Sequence, residues 1–281
     1  MRPPDRFARQ VLASSAVRPV DGVEWERPWF TPLRRAGRAV AAGVHAGQLV
    51  WQALDALGTP APGRAPGPCF VPQECQPVGE AYEAYEAFIF RTGQVPTRDN
   101  LHDFFNGLVW LHYPRAKRRL NALQAGAIAA QGVGAVRGPL RDAITVFDEN
   151  GAVLFAPREL REALATRAWR RLFTDLRPLW RQARLEIFGH ALLEQLVKPR
   201  KPLTAHVLLV PDAPEMVADI DGWLEGSLAP ELLTTKPFTP LPVLGVPGWW
   251  AENENFCFYD DSSVFRSARP ASQYTTGVPP R

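Results

Sequence analysis

His190 and Glu194 stand four residues apart in the run from Leu185 to Leu196. On a helix that spacing puts both side chains on one face, about one turn apart. The run is apolar nearly all round, through Ile187, Leu192, Leu193 and Leu196, so the pair is expected to be buried. A buried carboxylate needs a partner, and an imidazole can be one. His206 follows a short loop later, and His102, Asp103 and Asn106 crowd the first turns of another predicted helix, with His102 and Asn106 again four apart. Imidazoles and carboxylates arriving from separate elements are what a divalent transition metal or a general acid–base pair requires.

This pattern gives a first functional reading. A hydrolase-like enzyme would gather His102, Asp103, His190 and Glu194, with Arg141 orienting substrate. His102, His190, Glu194 and His206 are the candidate ligands of a divalent metal such as zinc, with an open position for water. The alternative is a non-catalytic ligand- or protein-binding module whose polar cluster is structural. If Asn100 caps its helix, Asp103 falls at the third helical position, where a carboxylate serves the free backbone donors and the dipole. His190 and Glu194 would then simply hydrogen-bond each other.

A second constellation lies near the C-terminus. Trp249 and Trp250 sit in a glycine–proline loop, followed by Asn253, Tyr259, Asp260 and Asp261. With Asn106 they are candidate substrate-binding residues, lining a cleft for a flat or sugar-like ligand. The same aromatics could instead anchor the tail to the body. Other signatures are missing or misplaced. The glycines at 132, 134 and 138 follow a helix at the wrong spacing for a dinucleotide fingerprint, and there is no G-x-S-x-G or H-E-x-x-H. The basic run Arg115 to Arg119 reads as a solvated helix face.

The elements that must position these residues follow from periodicity and breakers. Helices are predicted over 32–57, 80–91, 101–113, 115–130, 157–166, 168–176, 184–197 and 215–228. Ile144 to Phe147 and Ala152 to Phe155 flank Asn150-Gly151, the strongest short hairpin signal, and Thr204 to Val210 reads as a strand. Strands do not alternate regularly with helices. The predicted fold is therefore α+β, a mainly helical single unit with a small antiparallel sheet. Six prolines between residues 60 and 77 and five between 230 and 247 predict irregular stretches. The expected organisation is an N-terminal arm over 1–29, one domain over 30–266 that includes an extended proline-rich wrap over 230–266, and a flexible tail over 267–281.

Composition limits the class of protein. Apolar residues make up 46% and charged residues 22%, which is globular composition. A net charge of +3 gives no reason to invoke nucleic acid or a membrane surface as a partner. Three cysteines without C-x-x-C spacing argue against a disulfide framework or a zinc ribbon. The N-terminal residues show no signal-peptide core and no apolar run is long enough to span a bilayer, so a cytoplasmic protein is expected. Only four of the 32 basic residues are lysines, a skew typical of GC-rich bacterial genomes.

Long stretches of the chain also resemble a known family. The run Val95 to Leu111 with Tyr113 to Lys117, Arg141-Asp142 leading into Phe147 to Gly151, Phe188 to Glu194 with Thr204 to His206, and the closing Gly248 to Trp250 and Phe258 to Asp261 are similar to the hallmarks of domain-of-unknown-function family 3025. The resemblance covers roughly residues 30–266 and implies a bacterial, single-unit protein. It implies no activity. Gly107 stands where the family pattern leads one to expect alanine.

Overall fold

The computed structural model describes residues 18–58, 67–79, 82–132, 138–210 and 218–267. The expected tail beyond residue 267 and the first 17 residues of the expected arm lie outside the described residues. Two sheets and ten α-helices organise the rest. Strand β1 (Cys69–Pro72) pairs in parallel with β2 (Gln94–Thr97). The larger sheet has the order β4-β3-β5-β6, built from β3 (Gly151–Phe155), β4 (Arg184–Ile187), β5 (Thr204–Leu209) and β6 (Phe238–Pro242). Its central pair β3–β5 is parallel and both outer pairs are antiparallel, so the sheet is mixed where an antiparallel one was expected. Every residue of β3 is buried, as its unbroken apolar run requires of a strand flanked on both sides.

The helices are α1 (Arg34–His45), α2 (Val50–Gly58), α3 (Tyr85–Thr92), α4 (Leu101–His112), α5 (Pro114–Gln131), α6 (Pro139–Asn150), α7 (Arg158–Ala165), α8 (His190–Gln195), α9 (Ile220–Ser227) and α10 (Pro230–Thr234). Residues 32–57, expected as one helix, form two. The second begins where Asp99 Oδ1 accepts the Val50 amide at 2.9 Å, so a long-range cap sets the boundary. The expected helix over 168–176 is largely a π-turn over Arg171–Asp175.

Two larger differences bear on the site. The predicted hairpin around Asn150-Gly151 is instead α6 running directly into β3. Pro139 occupies its first turn, and Ala143, Ile144 and Phe147 are buried at helical spacing, a period the β-branched run 144–146 disguises. The predicted helix over 184–197 is edge strand β4 followed by the short helix α8. Gly189 lies at the break. A Cβ there would stand 2.5 Å from the Asn150 backbone and the Glu149 carbonyl oxygen, so only glycine lets the start of α8 press against the end of α6.

Helix α4 is the axis of the molecule. Asn100 Oδ1 accepts the Asp103 amide at 2.8 Å, and residues 103–110 are all buried. It packs on α2, α5 and α8. Gly107 makes the α2 crossing close, because a Cβ there would meet Leu54 Cδ1 at 2.3 Å. One hydrophobic core joins these helices to the larger sheet, from Val20 and Trp29 through Phe104 and Phe188 to Phe265. Residues 237–266 do not run as a simple extended strap. Strand β6 carries Pro240 and Pro242 at the sheet edge, where missing donors are tolerated, and short 3-10 turns follow. No helix among the described residues is long and apolar enough to cross a membrane.

Candidate functional site

Helix α4 carries His102 in its first turn, and α8 opens on His190. Because these helices pack together, the two rings meet edge to face with their Nε2 atoms 3.1 Å apart. The Oε2 of Glu149, from the last turn of α6, lies 3.6 Å from His190 Nε2. His102, Glu149 and His190 each offer one donor atom, all within 4.8 Å of one another. On the far side of its ring, His102 Nδ1 pairs with Glu194 Oε2 at 2.9 Å. In the neutral ring that contact selects the tautomer with the proton on Nδ1, which turns the Nε2 lone pair toward His190.

His190 is buried, and its Nδ1 has no hydrogen-bond partner, with Asp148 Oδ2 3.8 Å away. Burial pushes its pKa down to about 4 against the pull of Asp148, so the ring is neutral at pH 7. Asp148 is gripped by Lys117, whose Nζ donates to Asp148 Oδ1 at 2.5 Å and to Asn106 Oδ1 at 3.0 Å. Burial alone would raise the Asp148 pKa, but Lys117 and His190 outweigh it and hold the carboxyl below its ordinary value. Lys117 is only 4% exposed and lies 5.3 Å from the centroid of the Trp110 ring.

A pocket of about 540 Å³ opens onto this cluster, lined by His102, Asn106, Glu149 and His190 together with Tyr85, Arg98 and Gln76. A smaller recess of about 130 Å³ shares Tyr85, Glu86, Asp148 and Glu149 and continues to Ile89, Trp110 and Ile144. The lining combines two imidazoles and the Glu149 carboxylate with the Tyr85 hydroxyl, the Asn106 and Gln76 amides and the Arg98 guanidinium.

The sequence candidates divide sharply. His102, His190 and Asn106 line the pocket, and Glu194 touches the cluster through His102. Asp103 lines it too, but its carboxylate takes three bonds from Arg98, from the backbone N at 2.6 Å, from Nη2 at 2.8 Å and from Nε at 3.1 Å. It also sits at the capped end of α4. His206 lies on β5, opposite Gly151 and Pro240 in the sheet register, and is not among the three clustered donors. Burial lowers its pKa. Arg141 is buried on α6 with its Nε lacking a hydrogen-bond partner, away from the lining of this pocket.

The C-terminal candidates do not join the pocket. Asn253 is fully buried, donating to the Leu244 and Val246 carbonyls at 2.8 Å. Tyr259 donates to the Gly245 carbonyl at 2.9 Å and stacks on Phe173. Trp249 packs against Trp29, and the Trp250 ring lies 5.6 Å from the Arg27 guanidinium. Asp261 pairs with Lys201 at 3.1 Å, and Asp260 is exposed beside Phe256 and Cys257.

Sequence reasoning missed Tyr85, Lys117, Asp148 and Glu149. The hairpin signal at Asn150-Gly151 puts Asp148 and Glu149 in the segment joining the two predicted strands, and the basic run Arg115 to Arg119 hides Lys117 on a solvated face. The helical spacing of Ala143, Ile144 and Phe147 was the available signal, since it places Arg141, Asp148 and Glu149 on a helix too.

Fold and site together define a mixed α+β protein with a polar pocket built on a histidine pair and a carboxylate. The model for the family described as Protein of unknown function (DUF3025) matches residues 69–269, and the chain belongs to that family. No curated protein and no solved structure gives a significant match.

Proposed function

We propose that the protein is a metal-dependent, hydrolase-like enzyme in which His102, His190 and Glu149 hold a divalent transition metal such as zinc. One observation carries this reading: the mutual placement of the two Nε2 atoms and Glu149 Oε2. Nitrogen and oxygen ligands about 2.0–2.1 Å from one tetrahedral ion lie roughly 3.3 Å from each other. The two separations from His190 Nε2, 3.1 and 3.6 Å, bracket that value, and the third, between His102 and Glu149, is within 4.8 Å.

Tautomers add support. With its proton on Nδ1 toward Glu194, His102 turns a lone pair on His190 Nε2. A proton on His190 Nδ1 suits the neighbouring Asp148 carboxylate, and it leaves a second lone pair on His190 Nε2. Two lone pairs and a carboxylate oxygen facing one point repel each other unless a cation lies among them. Glu194 and Asp148 are then the outer carboxylates that hold the rings, a common arrangement around histidine ligands. A zinc-type ion supplies carbonyl polarisation and a water of lowered pKa. The other groups lining the pocket orient the substrate, and the pocket limits its size.

Elemental analysis of protein purified without a histidine tag tests the reading. One equivalent of zinc-type metal, lost in a folded His190→Ala variant, is the expected result. Absence of metal, with His190→Ala merely lowering the melting temperature, contradicts it and favours the binding module with a structural cluster, in which His190 Nε2–H donates to His102 Nε2.

A further inference from the structure

The Lys117 ammonium has donors only, so its contact at 3.0 Å fixes which end of the Asn106 amide is oxygen. The amide nitrogen Nδ2 therefore faces Tyr85 and donates to its hydroxyl oxygen at 3.2 Å. Tyr85 is thereby used as an acceptor, and among the described residues its own proton has no acceptor. Tyr85 lines the same pocket as His102, Glu149 and His190. Burial raises the Tyr85 pKa, which keeps that proton in place across the working pH range.

Arg98 is constrained in the same manner. Its Nε and Nη2 each donate to Asp103, which leaves both N–H groups of Nη1 and the second of Nη2 on a guanidinium lining the same pocket. The neighbouring acidic groups are engaged: Asp103 is held by Arg98, and Glu86 accepts from Gln124 Nε2 at 2.9 Å. Tyr85 and Arg98 thus bring to the pocket proton donors without acceptors among the described residues.

We infer that the pocket takes a small oxyanion-bearing substrate, with the Tyr85 hydroxyl and Arg98 Nη1 donating to its anionic oxygens. The inference rests on the metal reading above and names the substrate class for that site. Asn106 is a positioning residue: held by Lys117, it turns the Tyr85 proton toward the ligand.

The test uses full-length protein loaded with one equivalent of cobalt, titrated with inorganic phosphate and separately with acetate, and followed by its visible spectrum. Tyr85→Phe is expected to bind cobalt as wild type does while losing about tenfold to hundredfold in anion affinity, the usual effect of deleting one hydrogen bond to a charged group. Asn106→Asp discriminates further. A carboxylate there accepts from both Lys117 and the Tyr85 hydroxyl, withdrawing the proton from the pocket, so the same loss is expected with Tyr85 intact. A loss for phosphate alone assigns a tetrahedral oxyanion, and a loss for acetate alone assigns a carboxylate; either supports the inference. Normal cobalt binding with anion affinities within twofold of wild type in both variants overturns it and leaves the metal reading standing. Failure of the wild-type protein to bind cobalt overturns both.

Discussion

Replacing Lys117 by methionine probes the interior of the site without touching a proposed ligand. The ammonium is 4% exposed and bonds to Asp148 and Asn106. Methionine matches the apolar stem and keeps contact with Trp110, so the change removes charge and donors more than volume. Breaking a buried ion pair by deleting one partner costs about 3–5 kcal/mol, because the other charge is left uncompensated. The Asp148 side chain retains 26% exposure, which lets water recover part of that loss. A destabilisation of about 2–4 kcal/mol is therefore expected. Urea denaturation followed by tryptophan fluorescence measures it, with the slope unchanged if only the native state is affected. Adding Asp148→Asn to Lys117→Met should restore more than half of the loss, since the stranded charge is gone. A loss below about 0.5 kcal/mol for Lys117→Met, the range of surface substitutions, would refute the reasoning and return Lys117 to a solvated face.

Acid should weaken the metal-free protein in a defined window. His190 has a folded pKa of about 4 against an unfolded value of 6.5, so the unfolded chain binds more protons between those limits. Stability should be flat above pH 6.5 and fall by about 3 kcal/mol on acidification to pH 4, with Asp148 adding a further loss below its ordinary pKa of 3.8. A pH series of thermal melts shows this, and a His190→Gln variant should have a shallower upper slope, the remainder coming from His112 and His206, whose pKa values burial also lowers. Gly189→Ala should cost about 1–3 kcal/mol by pushing α8 from the end of α6, and should separate His190 from Glu149 enough to abolish metal binding, which calorimetry reads. Glu194→Gln should preserve the fold and weaken metal affinity by about tenfold to hundredfold, since the His102 ring loses its carboxylate partner.

How much of this was legible in the sequence varies by element. The start of α4 was readable because Asn100 and Asp103 are local signals, and His102 with Asn106 follows from helix geometry. The proximity of His102 to His190 and Glu194 was an expectation from residue chemistry alone, and the distances depend on the packing of α4 on α8. The carboxylates of α6 were not readable in the same way. Asn150-Gly151 imitates a hairpin turn, and Ile144-Thr145-Val146 has strand propensity, yet packing on the sheet makes the segment helical. Propensity is a weak prior there, and it moved Asp148 and Glu149 out of the site. Lys117 shows the complementary error. Its neighbours Arg115 and Arg118 are exposed, and only the angle at which α5 meets α4 and α6 turns one cation of the run inward. The aromatic tail was chemically suggestive for a different reason: Asn253 and Tyr259 bond to carbonyls of residues 244–246, near in sequence.

The central claim is that His102, His190 and Glu149 surround one cation, and cobalt titration of chelator-stripped, tag-free protein addresses it most directly. The account predicts a visible d–d spectrum that saturates at one equivalent, with intensity typical of a low-coordinate site, and its loss in His102→Ala and in His190→Ala. No spectrum at one equivalent, or a spectrum unchanged by either histidine substitution, would contradict it.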